Sequence, residues 1–211
     1  MQLVIFDCDG VLVDSERLTN TLLAQTITAQ GWPLTPEACF EHFGGYAMPD
    51  VWREVSRHTG RPVGPGVEPM FRASQATLLA DCPPVPGMPA LVRSLTTRSC
   101  VASNGPPHKM KITLGAVGLL EWFDERIFSR TMVSRPKPAP DLFLYAAAKM
   151  GIEPNQCVVV EDSVFGIRAA RQAGMRAIGF TGTGGSPSKL LAVGAHALAH
   201  SADDLRALLP D

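Results

Sequence analysis

Asp7 and Asp9 stand on either side of one residue, at the end of the apolar run Leu3-Val4-Ile5-Phe6, and Gly10 follows them. Two carboxylates this close repel one another, and the segment carries no basic residue to relieve them. A cation between them would. Hard oxygen ligands suit Mg²⁺, which takes one or two protein carboxylates and shares the phosphate oxygens of a substrate. A carboxylate beside such a metal can also act as a nucleophile and form an aspartyl-phosphate. The plainer alternative is an acidic turn after a strand, since Asp and Gly are both good turn formers.

Three further segments offer groups that match. Ser103-Asn104-Gly105 ends a second apolar run just before Pro106-Pro107, so hydroxyl, amide, free backbone N–H groups and a helix start together make an anion site. Lys137 lies in Arg135-Pro136-Lys137-Pro138-Ala139-Pro140, where prolines restrict the backbone. Lysine there is a point charge suited to a phosphate or to a carboxylate nucleophile. Glu161-Asp162-Ser163 closes the run Val158-Val159-Val160 and puts acids at another strand end, where they would complete a metal site. Each also has an ordinary structural explanation: an N-capped turn, a surface lysine, a capping Asp or Ser.

Placing these groups together requires a particular fold. Apolar runs at 2–7, 98–102, 156–160, 175–180 and 195–199 read as buried strands, with helical patterns at 88–95, 107–117, 139–150 and 163–173. That alternation predicts an α/β fold, a doubly wound parallel sheet with a Rossmann-like core, whose ligands bind beyond the carboxyl ends of the strands. From 15 to 81 the alternation stops and helical stretches follow one another, ending in the stiff Cys82-Pro83-Pro84-Val85-Pro86 return. The expectation is a core of 1–14 and 83–211 with an inserted helical cap domain at 15–82. An insert leaving just after Asp9-Gly10 stands where a lid belongs.

At 211 residues the chain can bury a sizeable core. With 19 basic against 20 acidic residues it has no electrostatic footprint for nucleic acid or an anionic membrane. No apolar stretch approaches the roughly 20 residues of a membrane span, and the N-terminus has no leader pattern. The five cysteines form no CxxC pair and read as reduced buried thiols, so the expected setting is cytoplasmic. Cys8, between the two acids, is turned away from them by strand alternation and has no histidine beside it. Nothing in the sequence demands more than a monomer.

Taken together, Asp7-Cys8-Asp9-Gly10-Val11-Leu12-Val13-Asp14-Ser15-Glu16, Ser103-Asn104-Gly105, Lys137-Pro138 and Glu161-Asp162-Ser163 resemble the four motifs of the haloacid dehalogenase-like hydrolase superfamily. The likeness is strongest to its β-phosphoglucomutase-like branch of sugar phosphatases. A shorter stretch, Ser103-Asn104-Gly105-Pro106 followed by Lys109-Met110, is similar to bacterial phosphatases of 6-phosphogluconate. The resemblance implies that Asp7 is the nucleophile and Asp9 the general acid and base. It implies that Ser103 and Asn104 hold phosphate oxygens while Lys137 neutralises charge. Mg²⁺ would bind Asp7, the backbone carbonyl of Asp9 and Asp162, with Glu161 as a further acid.

The implied activity is hydrolysis of a small phosphorylated metabolite, a sugar phosphate or phosphosugar acid such as 6-phosphogluconate. Haloalkanoate-cleaving members lack an acid at the position of Asp9, because a departing halide needs no proton, which sets dehalogenation aside. Mutases of the branch, the alternative, carry a cap histidine near Thr19 and a phosphate-gripping arginine near Met48; this chain has neither. A binding protein that kept only the fold would be missing one of the reactive residues. Recognition of the leaving group falls to cap residues, for which Gly44, Gly45 and Tyr46, in a loop permitting close approach, and Arg72 are the candidates.

Overall fold

Short runs that are mostly apolar become strands in the computed structural model, which describes residues 1–43, 46 and 48–209. Among the described residues these are β1 (Leu3–Phe6), β2 (Arg98–Ser103), β3 (Ile127–Ser129), β4 (Cys157–Glu161), β5 (Arg176–Phe180) and β6 (Ala197–Ala199). They form one sheet in the order β3-β2-β1-β4-β5-β6, with every neighbouring pair parallel. The chain builds outward from β1 to β3, then returns to the other side of β1 to lay down β4. The strand order therefore reverses between β1 and β4, and a crevice opens at such a switch point beyond the carboxyl ends. Phe6 pairs with Val101 on one side and Val160 on the other. Asp7, Ser103 and Glu161 consequently come off the same edge of the sheet.

All four residues of β1 are fully buried, so both faces of the sheet are covered. This accounts for continuous apolar runs instead of alternation. On one face Leu3, Ile5, Cys100 and Ala102 pack with Phe143 and Ile167. The helices are α1 (Ser15–Ala29), α2 (Pro36–Phe43), α3 (Met48–Thr59), α4 (Val67–Ala80), α5 (Met88–Ser94), α6 (Pro107–Ala116), α7 (Leu120–Phe123), α8 (Asp141–Met150), α9 (Val164–Gln172), α10 (Pro187–Ala192) and α11 (Ala202–Leu208). Pro107 occupies the first turn of α6, and the Ser163 hydroxyl caps α9 by accepting from the Gly166 N–H. β3, α7, α10 and α11 are absent from the pattern read in the sequence. A three-residue edge strand and helices of four to seven residues carry too little periodicity to register.

The chain divides into two compact units, Met1–Asp14 with Cys82–Asp211, and Ser15–Asp81. In the first, the backbone leaves and returns at adjacent points: the Asp14 N–H donates to the Pro83 carbonyl at 3.0 Å and Val13 bridges Pro84. Cys82, expected in the helical stretch, belongs with this unit and is buried there. The second unit holds α1 to α4 around Ile27, Cys39, Val55 and Phe71, with Trp32 stacked on His58 at 3.8 Å. Among the described residues, no helix is long and apolar enough to cross a membrane.

Candidate active site

The end of β1 turns sharply. Gly10 sits at φ +75°, and the Leu12 and Val13 N–H groups fold back onto the Cys8 carbonyl. This turn leaves Asp7 and Asp9 at the sheet edge, with Asp7 7% exposed. Cys8 points into the fold instead: it is fully buried beside the Thr113 hydroxyl. Burial and the two flanking acids push its thiol well above the usual range, so it is no thiolate nucleophile.

Lys137 is the hub of the site. Its ammonium donates to Asp7 Oδ1 at 2.7 Å, to Glu161 Oε1 at 2.6 Å and to the Ala102 carbonyl at 2.8 Å, which uses all three of its protons. Its loop is held by Asn104, whose amide accepts from the Lys137 N–H and donates to the Lys137 carbonyl, both at 3.1 Å. The Asn104 side chain thus retains only its second N–H for a phosphate oxygen. Ser103 differs: its Oγ accepts from the Gly105 N–H at 3.0 Å, which leaves the hydroxyl proton to donate to an anion.

Glu161 has both oxygens in hydrogen bonds. Oε1 takes Lys137, and Oε2 takes the Ser163 N–H at 3.0 Å and the Ser163 hydroxyl at 2.8 Å. Such an arrangement suits it to hold Lys137 more than to ligate. Gly166 explains how the carboxylate fits beneath the start of α9: a Cβ at that position would lie 1.8 Å from Glu161.

Asp7, Glu161 and Asp162 each present an oxygen within 4.8 Å of the other two, a cluster suited to a metal ion. Gly10 makes the cradle, since a Cβ there would fall 1.9 Å from Asp162 Oδ2. The donor set consists of carboxylate oxygens only, which fits a hard divalent cation of the Mg²⁺ type. Electrostatics agree. Burial drives Asp7 up to about 7, with Lys137 opposing and Glu161 and Asp9 adding to the rise. Burial works against the charge on Lys137 too, but the Asp7 and Glu161 carboxylates outweigh it and keep the lysine above its ordinary range. Lys137 alone leaves the cluster rich in negative charge, and a bound divalent cation would relieve it.

Several contributors do not stand out in the sequence. The Asp9 carboxylate meets Lys109 of α6, Oδ1 to Nζ at 2.8 Å. Thr183 donates to the Gly10 carbonyl at 2.6 Å and so ties the loop after β5 to the turn after β1. Gly185 lies against the Asp162 carbonyl, which a Cβ would approach to 3.0 Å. Thr181-Gly182-Thr183-Gly184-Gly185 follows a strand at the same sheet edge, and that position is the signal by which the loop could be found. Of the cap candidates, Gly44 and Gly45 lie outside the described residues. Tyr46 is exposed, with its ring edge-on to Phe43 at 5.9 Å. Arg72 is an exposed residue of α4 paired with Glu68 one turn earlier.

A family model described as haloacid dehalogenase-like hydrolase matches residues 1–174. The chain is similar to the 6-phosphogluconate phosphatase of Escherichia coli (strain K12), 34% identical over 182 residues that cover 85% of this chain and 82% of that protein. It is also similar to the fructose-1-phosphate phosphatase of the same organism, 30% identical across 83% of this chain and 94% of the other. Among solved structures, a HAD family hydrolase from Deinococcus radiodurans R1 with bound phosphate and sodium superposes with a TM-score of 0.87. It is 27% identical, and the match covers 99% of this chain and 94% of that one.

Proposed function

The chain belongs to the haloacid dehalogenase-like hydrolase family, and from that premise we propose that it is a Mg²⁺-dependent phosphatase working through an aspartyl-phosphate. Its reaction class is phosphoric monoester hydrolysis. Its substrates are small phosphorylated metabolites, sugar phosphates or phosphosugar acids, with 6-phosphogluconate the first to test. The observation that carries the reading is the buried Asp7–Lys137–Glu161 triad at the topological switch point.

Asp7 Oδ attacks phosphorus, the bond to the sugar oxygen breaks, and the departing oxygen takes a proton from Asp9. Asp9, now a carboxylate, removes a proton from the water that attacks the aspartyl-phosphate, which releases inorganic phosphate and restores Asp7. Lys137 offsets charge on the nucleophile and on the phosphoryl oxygens, and the Ser103 hydroxyl donates to one of those oxygens. Asp7, Asp162 and the backbone carbonyl of Asp9, with Glu161 alongside, would hold Mg²⁺, which would supply the positive charge that lets two anions approach.

Asp9 supports phosphatase chemistry over dehalogenation, because an alkoxide needs a proton and a halide does not. Against a mutase, the chain lacks the cap histidine and the phosphate-gripping arginine that the branch's mutases carry near Thr19 and Met48; the Thr19 hydroxyl accepts from Gln75 within the helical unit. Choice of leaving group is assigned to the helical insert acting as a cap, through Tyr46, the adjoining Gly44-Gly45 and Arg72. A screen for phosphate release from a panel of phosphorylated metabolites and p-nitrophenyl phosphate, with Mg²⁺ or with EDTA, tests the whole reading. Release that needs Mg²⁺ supports it; no release from any member, or equal release in EDTA, overturns it.

A further inference from the structure

Lys137 cannot serve both aspartates. Its three protons go to Asp7, Glu161 and the Ala102 carbonyl, so none remains for Asp9. Asp9 has its own lysine. Lys109 Nζ lies 2.8 Å from Asp9 Oδ1, with the two side chains only 20% and 17% exposed. The other carboxylate oxygen is bounded by the turn that precedes α6: a Cβ on Gly105 would stand 3.5 Å from Asp9 Oδ2. One short segment, from Gly105 to Lys109, therefore borders the Asp9 carboxylate on both oxygens. Pro106 and Pro107 stiffen that segment, so the ammonium is delivered from a backbone with little freedom.

We propose that Lys109 is a positioning residue for the proton-transfer group: it acts through Asp9, fixing where that carboxylate stands relative to the leaving oxygen. The inference rests on the reading of Asp9 as the proton donor. Its consequence depends on the leaving group. Phenolate is a strong base and departs with difficulty unless a proton reaches it, whereas p-nitrophenolate is far more stable and departs with little help. In the step that releases the alcohol, a misplaced Asp9 should therefore penalise the first ester much more than the second, while hydrolysis of the aspartyl-phosphate is common to both. A lysine that only braced the local structure would affect both alike.

The experiment compares kcat/KM, which reports the steps through departure of the leaving group, for phenyl phosphate and p-nitrophenyl phosphate in the Mg²⁺-loaded protein, with Lys109→Met, Lys109→Arg and Asp9→Asn. Lys109→Met should lower kcat/KM for phenyl phosphate by about tenfold or more, and for p-nitrophenyl phosphate far less. Lys109→Arg, which keeps the charge, should recover most of the phenyl phosphate rate. Residual p-nitrophenyl phosphate turnover reports that the variant is folded, and Lys109→Gln replaces the Met variant if the latter does not fold. If Asp9→Asn discriminates between the esters but the neutral Lys109 variants lose both equally, the inference about Lys109 is wrong and the reading of Asp9 stands. If Asp9→Asn itself shows no discrimination, the proton-donor reading fails, and the inference fails with it.

Discussion

Charged side chains are used in opposite ways in the two units. In the sheet-bearing unit, Lys137 and Asp7 pair across 130 residues of chain, with both side chains nearly inaccessible to solvent. In the helical unit, Arg53 pairs with Asp50 and Arg57 with Glu54 on α3, and Arg72 with Glu68 on α4, each pair within one helix, three or four residues apart and with an exposed arginine. Exposed local pairs are screened by water and contribute little. Buried pairs hold their geometry because breaking one strands a charge in a poorly solvating interior. Reactive groups need fixed positions, which the strand ends supply, whereas a surface of solvated charges can vary with little effect on the fold.

The most severe expected effect is on turnover. Asp7→Asn should reduce kcat by roughly 10³-fold or more, since a neutral amide does not attack phosphorus. Its melting temperature in EDTA should stay close to that of the parent, because Lys137 keeps Glu161 as its counter-ion and burial already disfavours the charge on Asp7. Near-parental activity in a clean preparation would remove Asp7 from its role.

Stability should follow the same division. Lys137→Met leaves Asp7 and Glu161 buried without their cation and should cost about 3–5 kcal/mol in urea denaturation. Arg72→Ala, on the helical unit, should leave the denaturation midpoint unchanged. Equal effects from the two would erase the distinction between the units. Metal should act on one unit only. Mg²⁺ at about a hundred times its dissociation constant should add roughly 2.7 kcal/mol to the parent. Asp162→Asn should lose most of that gain, and Glu68→Gln should keep it; a gain untouched by Asp162→Asn would move the metal elsewhere.

The smallest effect concerns selectivity. Tyr46→Ala should change the ranking of phosphorylated metabolites several-fold without altering the melting temperature, and Arg72→Ala should change it less, given its pairing with Glu68. An unchanged ranking in both variants would exclude these residues as readers of the leaving group.

Much of the fold and of the site is legible in the chain itself. Asp7, Ser103 and Glu161 each terminate or follow a buried apolar run, and in a parallel sheet such ends share an edge. The α/β class, the position of the helical insert and the acidic cluster near Asp162 follow from that rule and from hydrophobic periodicity alone. β3 does not, because its three edge residues carry no periodic signal.

What only the tertiary structure decided is which group touches which. Lysine 137 is visible in the sequence as a restrained cation, but its bonds to Asp7 and Glu161 together are not. The same is true of Glu161 resting on Ser163 above Gly166, of Thr183 tying down the Gly10 carbonyl, and of Lys109 meeting Asp9. Periodicity and strand order determine the edge of the sheet at which a residue arrives. The direction of its side chain across that edge depends on backbone turns and packing contributed by segments as far as 173 residues away, and no local pattern encodes them.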